Sequence, residues 1–171
     1  MSGDALLVID TQRGAFDAGL VGEWAMPNGD ALIAACKQAV AWARRTGAAV
    51  IWVQHHEADG PMNGDGFAID PRLAPAASEP RILKTEPSSF SNTALTPLLA
   101  GKSRVLLAGL QSDCCVRATA LAGQAAGVPV AVIADAHQTW PSDGRSASQV
   151  RDAINTELAA AGIPLLQLAD L

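Results

Sequence analysis

The sequence predicts a doubly wound α/β fold, a mostly parallel sheet with helices on both faces. Three observations carry this. Short apolar runs recur along the chain, each bounded by charge, Gly or Pro. They are apolar at every position rather than at every second one, as strands buried on both faces are. Helical stretches separate them, so strand and helix alternate as in parallel βα units. The length, 171 residues, fits a single domain, 1–171, which buries about 70% of its unfolded surface without needing a disulfide or a metal.

The elements follow in order. Ala5-Leu6-Leu7-Val8-Ile9 is the first strand, bounded by Asp4 and Asp10. Asp30 to Thr46 is Ala-rich, with Leu32, Ile33, Cys36, Val40 and Ala43 near a 3.6-residue period, and Gly47 ends that helix. The second strand covers Ala48 to Val53. The stretch 55–81 is rich in Gly, Pro and Asp and lacks periodicity. A loop that long inside a compact domain is usually functional. Ile82-Leu83 reads as a weak strand and Thr93 to Ala100 as a short helix, with Pro97 tolerable near its start. Arg104 to Ala108 forms a strand ending at Gly109; a helix follows over Asp113 to Ala126, stopped by Gly127. Val130 to Ala134 is a strand, Ser142 to Ala161 a helix opened by Ser-Asp-Gly, and Pro164 to Leu168 the last strand.

Composition narrows the function. Apolar residues make up 49% and charged residues 17%, and the net charge is −5. An acidic chain without a basic cluster is a poor nucleic-acid binder, because neutralising phosphates takes grouped Lys and Arg. No apolar run approaches the ~20 residues of a bilayer span, and the first ten residues lack the basic region of a signal peptide. Three cysteines, two of them adjacent, do not make a disulfide framework, so the expected setting is reducing and cytoplasmic. Neither Gly-x-Gly-x-x-Gly nor Gly-x-x-x-x-Gly-Lys-Ser/Thr occurs, so no nucleotide cofactor is expected.

Three places could carry chemistry. Asp10 directly follows the first strand, at the end where open α/β sheets bind ligands; the alternative is a loop-capping Asp. A haloacid-type phosphatase would need a second Asp two residues on, where Gln12 stands. Gly109-Leu110-Gln111-Ser112-Asp113-Cys114-Cys115 joins a strand to a helix. With Ser112 as N-cap, Cys115 falls near the third helical position, where the partial positive charge lowers a thiol pKa below the usual ~8.5. Free N–H groups in that turn can hold an oxyanion. The alternative for both cysteines is small apolar packing, the only role given to Cys36. Lys84 follows Leu83 at the edge of a strand and is either a surface lysine or a buried ammonium. His55 and His56 are consecutive, so on a strand they point to opposite faces and cannot share a metal. His137 reads as pocket rim or interface.

Together, Leu6-Leu7-Val8-Ile9-Asp10-Thr11-Gln12, Leu83-Lys84 with Ser89-Phe90, Gly109 to Val116 with Thr119, and Asp135-Ala136 resemble the isochorismatase-like cysteine hydrolase superfamily. That superfamily includes nicotinamidases and carbamoylsarcosine amidohydrolases, and the resemblance spans nearly the whole chain. It implies a catalytic triad of Asp10, Lys84 and Cys115, with Cys114 the variable residue before the nucleophile. It implies an oxyanion hole from the N–H groups of Gln111 and Cys115, a cis peptide at Leu110-Gln111, and the sheet order 3-2-1-4-5-6. The reaction implied is C–N hydrolysis of a small amide or ureide through a thioester. The metal-binding relatives carry Asp-x-His after the second strand; Gln54-His55-His56 stands here, so no metal is expected. Two other classes stay open: an isochorismatase-type vinyl ether hydrolase, against which the presence of Cys115 counts, and a silent ligand-binding relative. Specificity is expected in loops 13–28 and 55–81, with Phe16, Phe90 and Trp140 lining an apolar pocket. A homo-oligomer, dimer or tetramer, is expected from the low charge and from Trp24, Trp42 and Trp140.

Overall fold

The computed structural model describes residues 3–171. Six strands form one sheet: β1 (Asp4–Ile9), β2 (Ala49–His55), β3 (Arg81–Lys84), β4 (Arg104–Leu110), β5 (Val130–Gln138) and β6 (Leu165–Leu166). Their order is 3-2-1-4-5-6 and every pairing is parallel. The helices are α1 (Arg13–Phe16), α2 (Ala18–Val21), α3 (Gly29–Thr46), α4 (Leu95–Leu99), α5 (Arg117–Ala125) and α6 (Ala147–Ala160).

Strand alternation divides the core in two. Leu6 and Val8 of β1 face the layer containing Leu32, Ile33, Cys36, Val40 and Ala43 of α3. Ala5, Leu7 and Ile9 face the layer of Leu95, Leu99, Val116, Ala120 and Leu158, from α4, the turn before α5, α5 and α6. The central strands are therefore apolar throughout because both faces are covered. Gly47 ends α3 in the left-handed region at φ 76°, as its position after the last periodic residue predicts. Among the described residues, no helix is long and apolar enough to cross a membrane.

Boundaries differ from the sequence expectation where side chains compete for the backbone. The last long helix starts at Ala147, not Ser142. Ser146 caps it, its hydroxyl accepting from Gln149 N at 3.2 Å, and Gln149 returns a bond to the Ser146 N–H. Residues 142–145 form a tight turn with Asp143 and Gly144 at positive φ. The strand β4 runs past Gly109 to Leu110. The stretch 13–28 is largely short helices rather than open loop. Trp42 is buried inside the chain, beneath the Arg104 guanidinium, so its burial needs no partner.

Two backbone features shape the end of the sheet where β1 and β4 stop. At Gly109, φ is +118° and a Cβ would collide with the Ile9 backbone, its nitrogen 2.7 Å away. Only glycine allows this close approach. In β5 the register slips: Leu107 pairs with Val132, but Gly109 pairs with His137. The extra residues make a bulge that re-aims His137 toward the turn following β4.

Candidate active site

Asp10, Lys84 and Cys115 come together from three strands' ends. Asp10 leaves β1 with φ 54°, an uncommon conformation for a residue with a side chain, and its N–H donates to Val53 O at 2.9 Å. Lys84 ends β3, two strands away, and only 2% of it is exposed. Its ammonium donates to Asp10 Oδ2 at 2.9 Å, to Cys115 Sγ at 3.3 Å and to His55 Nδ1 at 3.2 Å. The other carboxylate oxygen, Asp10 Oδ1, is buried without a hydrogen-bond partner. Lys84 thus bridges Cys115 and Asp10, and the two acids also lie near enough to act on each other's proton.

Burial sets the protonation states. It raises the Asp10 pKa well above the ordinary carboxylate range; the neighbouring Cys115 adds to the rise and Lys84 opposes it. Asp10 is thereby a better proton acceptor than a solvated aspartate. Cys115 donates to Cys114 Sγ at 3.9 Å, and that contact, followed by burial, raises its pKa. The same contact lowers exposed Cys114 to about 7. The helix-terminus effect expected at Cys115 is outweighed, because its sulfur is desolvated and shares its proton with a neighbour. Cys36, fully buried in α3, is pushed up to about 12 by desolvation and plays the packing role assigned to it.

The cysteine turn is a wide helical turn over Ser112–Val116, in which Val116 N donates to Gln111 O at 3.0 Å. Ser112 does not cap it. Its hydroxyl instead meets His137 Nδ1 at 2.8 Å, and His137 Nε2 meets Asn155 Oδ1 of α6 at 2.9 Å. His137 is 1% exposed, so it is an internal tie and not a pocket rim. Asp113 accepts from the Thr139 hydroxyl at 2.6 Å. The turn is therefore fastened to the end of β5 at two points. The peptide Leu110–Gln111 is cis, as the resemblance implies.

A cavity of about 310 Å³ opens over this cluster. Asp10, Gln111, Cys114 and Cys115 line its floor, while Leu110, Met62 and Pro87 give apolar wall. His55, Glu57 and Thr85 complete it. Phe16, Phe90 and Trp140 do not line it. Phe16 packs on the first turn of α3 and under the Arg72 guanidinium, beside a separate groove. Phe90 covers Gly123 of α5. Trp140 stacks on Trp24 at 5.2 Å and donates its indole N–H to Trp24 O at 2.8 Å. Each ring found closer apolar surface in its own neighbourhood.

Sequence reasoning named His55 and Gln12 without giving either a place in the site, and missed Glu57. His55 pairs in register with Lys84 across β2 and β3, while His56 turns to the opposite side and meets Phe67 edge-on. The usable signal was that same alternation: with His56 on one side, His55 takes the other, where Lys84 stands. Gln12 is fully buried; it donates to His55 O and Phe67 O at 2.9 Å and accepts from His55 N at 2.7 Å. It ties the 55–81 loop to the floor of the site. Among the described residues, no group of three or more His, Cys, Asp or Glu side chains could hold a metal ion.

A parallel sheet with its polar cluster at the reversal of strand order places this protein among the doubly wound α/β proteins that work at their switch point. Isochorismatase domains match residues 4–161, and the chain belongs to that family of hydrolases. Two streptothricin hydrolases of Streptomyces noursei are similar. One is 32% identical over 142 residues, covering 80% of this chain and 54% of the relative. The other is 30% identical over 161 residues, covering 91% and 56%. The chain thus spans about half the length of these relatives. An isochorismatase from Pseudomonas putida superposes with a TM-score of 0.83 at 23% identity, over 99% of this chain and 90% of that one, a likeness of fold.

Proposed function

We propose that the protein is a cysteine hydrolase that cleaves a C–N bond, amide or ureide, in a small molecule through a thioester on Cys115. The observation that carries this is the buried Lys84 ammonium bridging Asp10 Oδ2 and Cys115 Sγ at the floor of a cavity. The two relatives named for streptothricin hydrolysis support a hydrolase reading; the substrate here is a separate matter.

The steps follow from the protonation states. Cys115 rests as a thiol. As its sulfur bonds to the carbonyl carbon, its proton passes to Asp10, whose raised pKa suits it to accept. Lys84 stabilises the negative charge on sulfur and carboxylate alike. The N–H groups of Gln111 and Cys115 hold the tetrahedral oxyanion. The C–N bond then breaks, and protonated Asp10 gives its proton to the leaving amine. Water attacks the thioester with Asp10 again taking a proton, and the acid leaves as the thiol re-forms.

A panel of small amides and ureides, assayed for amine release beside isochorismate assayed for ether cleavage, tests the reading. Amine release from at least one member, with isochorismate untouched, is expected. Cleavage of isochorismate alone points to the vinyl ether reaction, and binding without turnover to a silent relative; either contradicts the proposal.

A further inference from the structure

The cavity carries a charge that the triad does not account for. The Lys84 ammonium has three N–H bonds, and Asp10, His55 and Cys115 take all three. Because an ammonium only donates, His55 Nδ1 accepts and the imidazole proton sits on Nε2. That nitrogen faces Glu57, with Oε1 at 3.6 Å, beyond a good hydrogen bond. Burial, then the charge of Lys84, lowers the His55 pKa, so the ring is neutral at neutral pH.

Among the described residues, Glu57 therefore borders the cavity without a Lys or Arg on its carboxylate, the buried Lys84 beneath being paired with Asp10. No Lys or Arg is among the described residues lining that space. Exposed Cys114 adds a second negative group as it ionises near 7. The loop also folds closely over Glu57. A Cβ at Gly60 would lie 2.6 Å from the Glu57 carboxyl carbon and 2.9 Å from its Cβ, so the loop packs its backbone directly against this side chain and a larger residue at 60 would push the carboxylate aside.

We propose that Glu57 is a specificity-determining residue that selects amides bearing a protonated amine or amidine and turns away anionic substrates, dicarboxylates such as isochorismate included. This rests on the proposed C–N hydrolysis at Cys115 for its catalytic meaning, but the charge selection is measurable without turnover.

The first arm alkylates the native protein with three reagents of different charge: a chloroacetamide carrying a trimethylammonium group, iodoacetamide and iodoacetate. Adducts are located on Cys115 by fragment mass spectrometry, and each rate is divided by the rate with N-acetylcysteine. The expected order is cationic, neutral, anionic, with about tenfold per charge at low salt, shrinking as salt is added. Glu57→Gln should remove most of that spread. The second arm compares amides matched except for a terminal ammonium or hydroxyl. There Glu57→Gln should raise KM for the cationic amide about tenfold with kcat kept, and leave the neutral one unchanged. No charge order, or the same order in Glu57→Gln, overturns the selection. Charge order at Cys115 with no amide hydrolysed overturns the C–N reading instead and leaves the selection standing.

Discussion

At the scale of single residues, the site depends on one ammonium holding two acids of different kinds. Asp10→Asn keeps the shape but removes the acceptor for the thiol proton. Turnover should fall about 10²- to 10⁴-fold, the usual worth of a general base, with little change in KM; a tenfold or smaller loss would deny Asp10 that role. The neighbouring thiols should also part company in pH. Cys114, lowered to about 7, is thiolate above that pH and thiol below it. Its alkylation rate by iodoacetamide should therefore rise through a midpoint near 7, while Cys115, raised by Cys114 and burial, should show no such midpoint. A midpoint near 9 for Cys114 would mean that the 3.9 Å contact does not act on it. Asp10, Lys84 and Cys115 were legible as a set through the family resemblance of the motifs that carry them; position alone left Asp10 open between site and loop cap, and Lys84 between surface and interior. Glu57 and Gln12 were not legible, because their significance comes from which loop atoms lie over them, and a loop without periodicity gives no register to count by. The aromatic residues misled for a related reason: Phe16, Phe90 and Trp140 are rare and large, but rarity does not say which apolar surface a ring will reach.

At the scale of elements, the strands and the whole of α3 were legible, and the starts of α5 and α6 were not. Four unbroken apolar runs mark buried strands by composition alone, the run broken by Gln167 shrinks to the two half-buried residues of β6, and even the weak Ile82-Leu83 run proved to be β3. Helix starts depend on side-chain competition. Ser112 looks like a cap until His137 claims its hydroxyl, and Ser142 looks like one until Ser146 and Gln149 form their reciprocal pair. The bulge in β5 that delivers His137 has no sequence signature at all. The close approach of β4 to β1 gives a direct test. Gly109→Ala places a methyl group against the Ile9 backbone at φ +118°, so at least about 3 kcal/mol of stability should be lost in urea denaturation, with activity lost beyond what the unfolded fraction explains. A loss under about 1 kcal/mol would show that the two strand ends can part without consequence.

At the scale of the whole molecule, the buried His137 links folding to pH. Desolvation lowers its pKa from 6.5 to about 4. As pH falls, the unfolded chain takes up the proton first, so stability should decline between roughly 6.5 and 4 and then level, by about 3 kcal/mol in all. Urea melts of wild type and His137→Gln at pH 7 and pH 4.5 check this. The variant should be less stable at pH 7, having lost its bonds to Ser112 and Asn155, but its further loss at pH 4.5 should be smaller. An equal loss in both proteins would place the acid sensitivity elsewhere. The whole catalytic proposal turns on which sulfur attacks. The most direct measurement is amine release and acid-quenched intact mass on a hydrolysed amide, in wild type, Cys115→Ser and Cys114→Ala. Expected are release and an acyl adduct mapping to Cys115 in wild type, most of the activity in Cys114→Ala, and neither release nor adduct in a folded Cys115→Ser protein. Continued turnover in Cys115→Ser, or an adduct on Cys114, would contradict it.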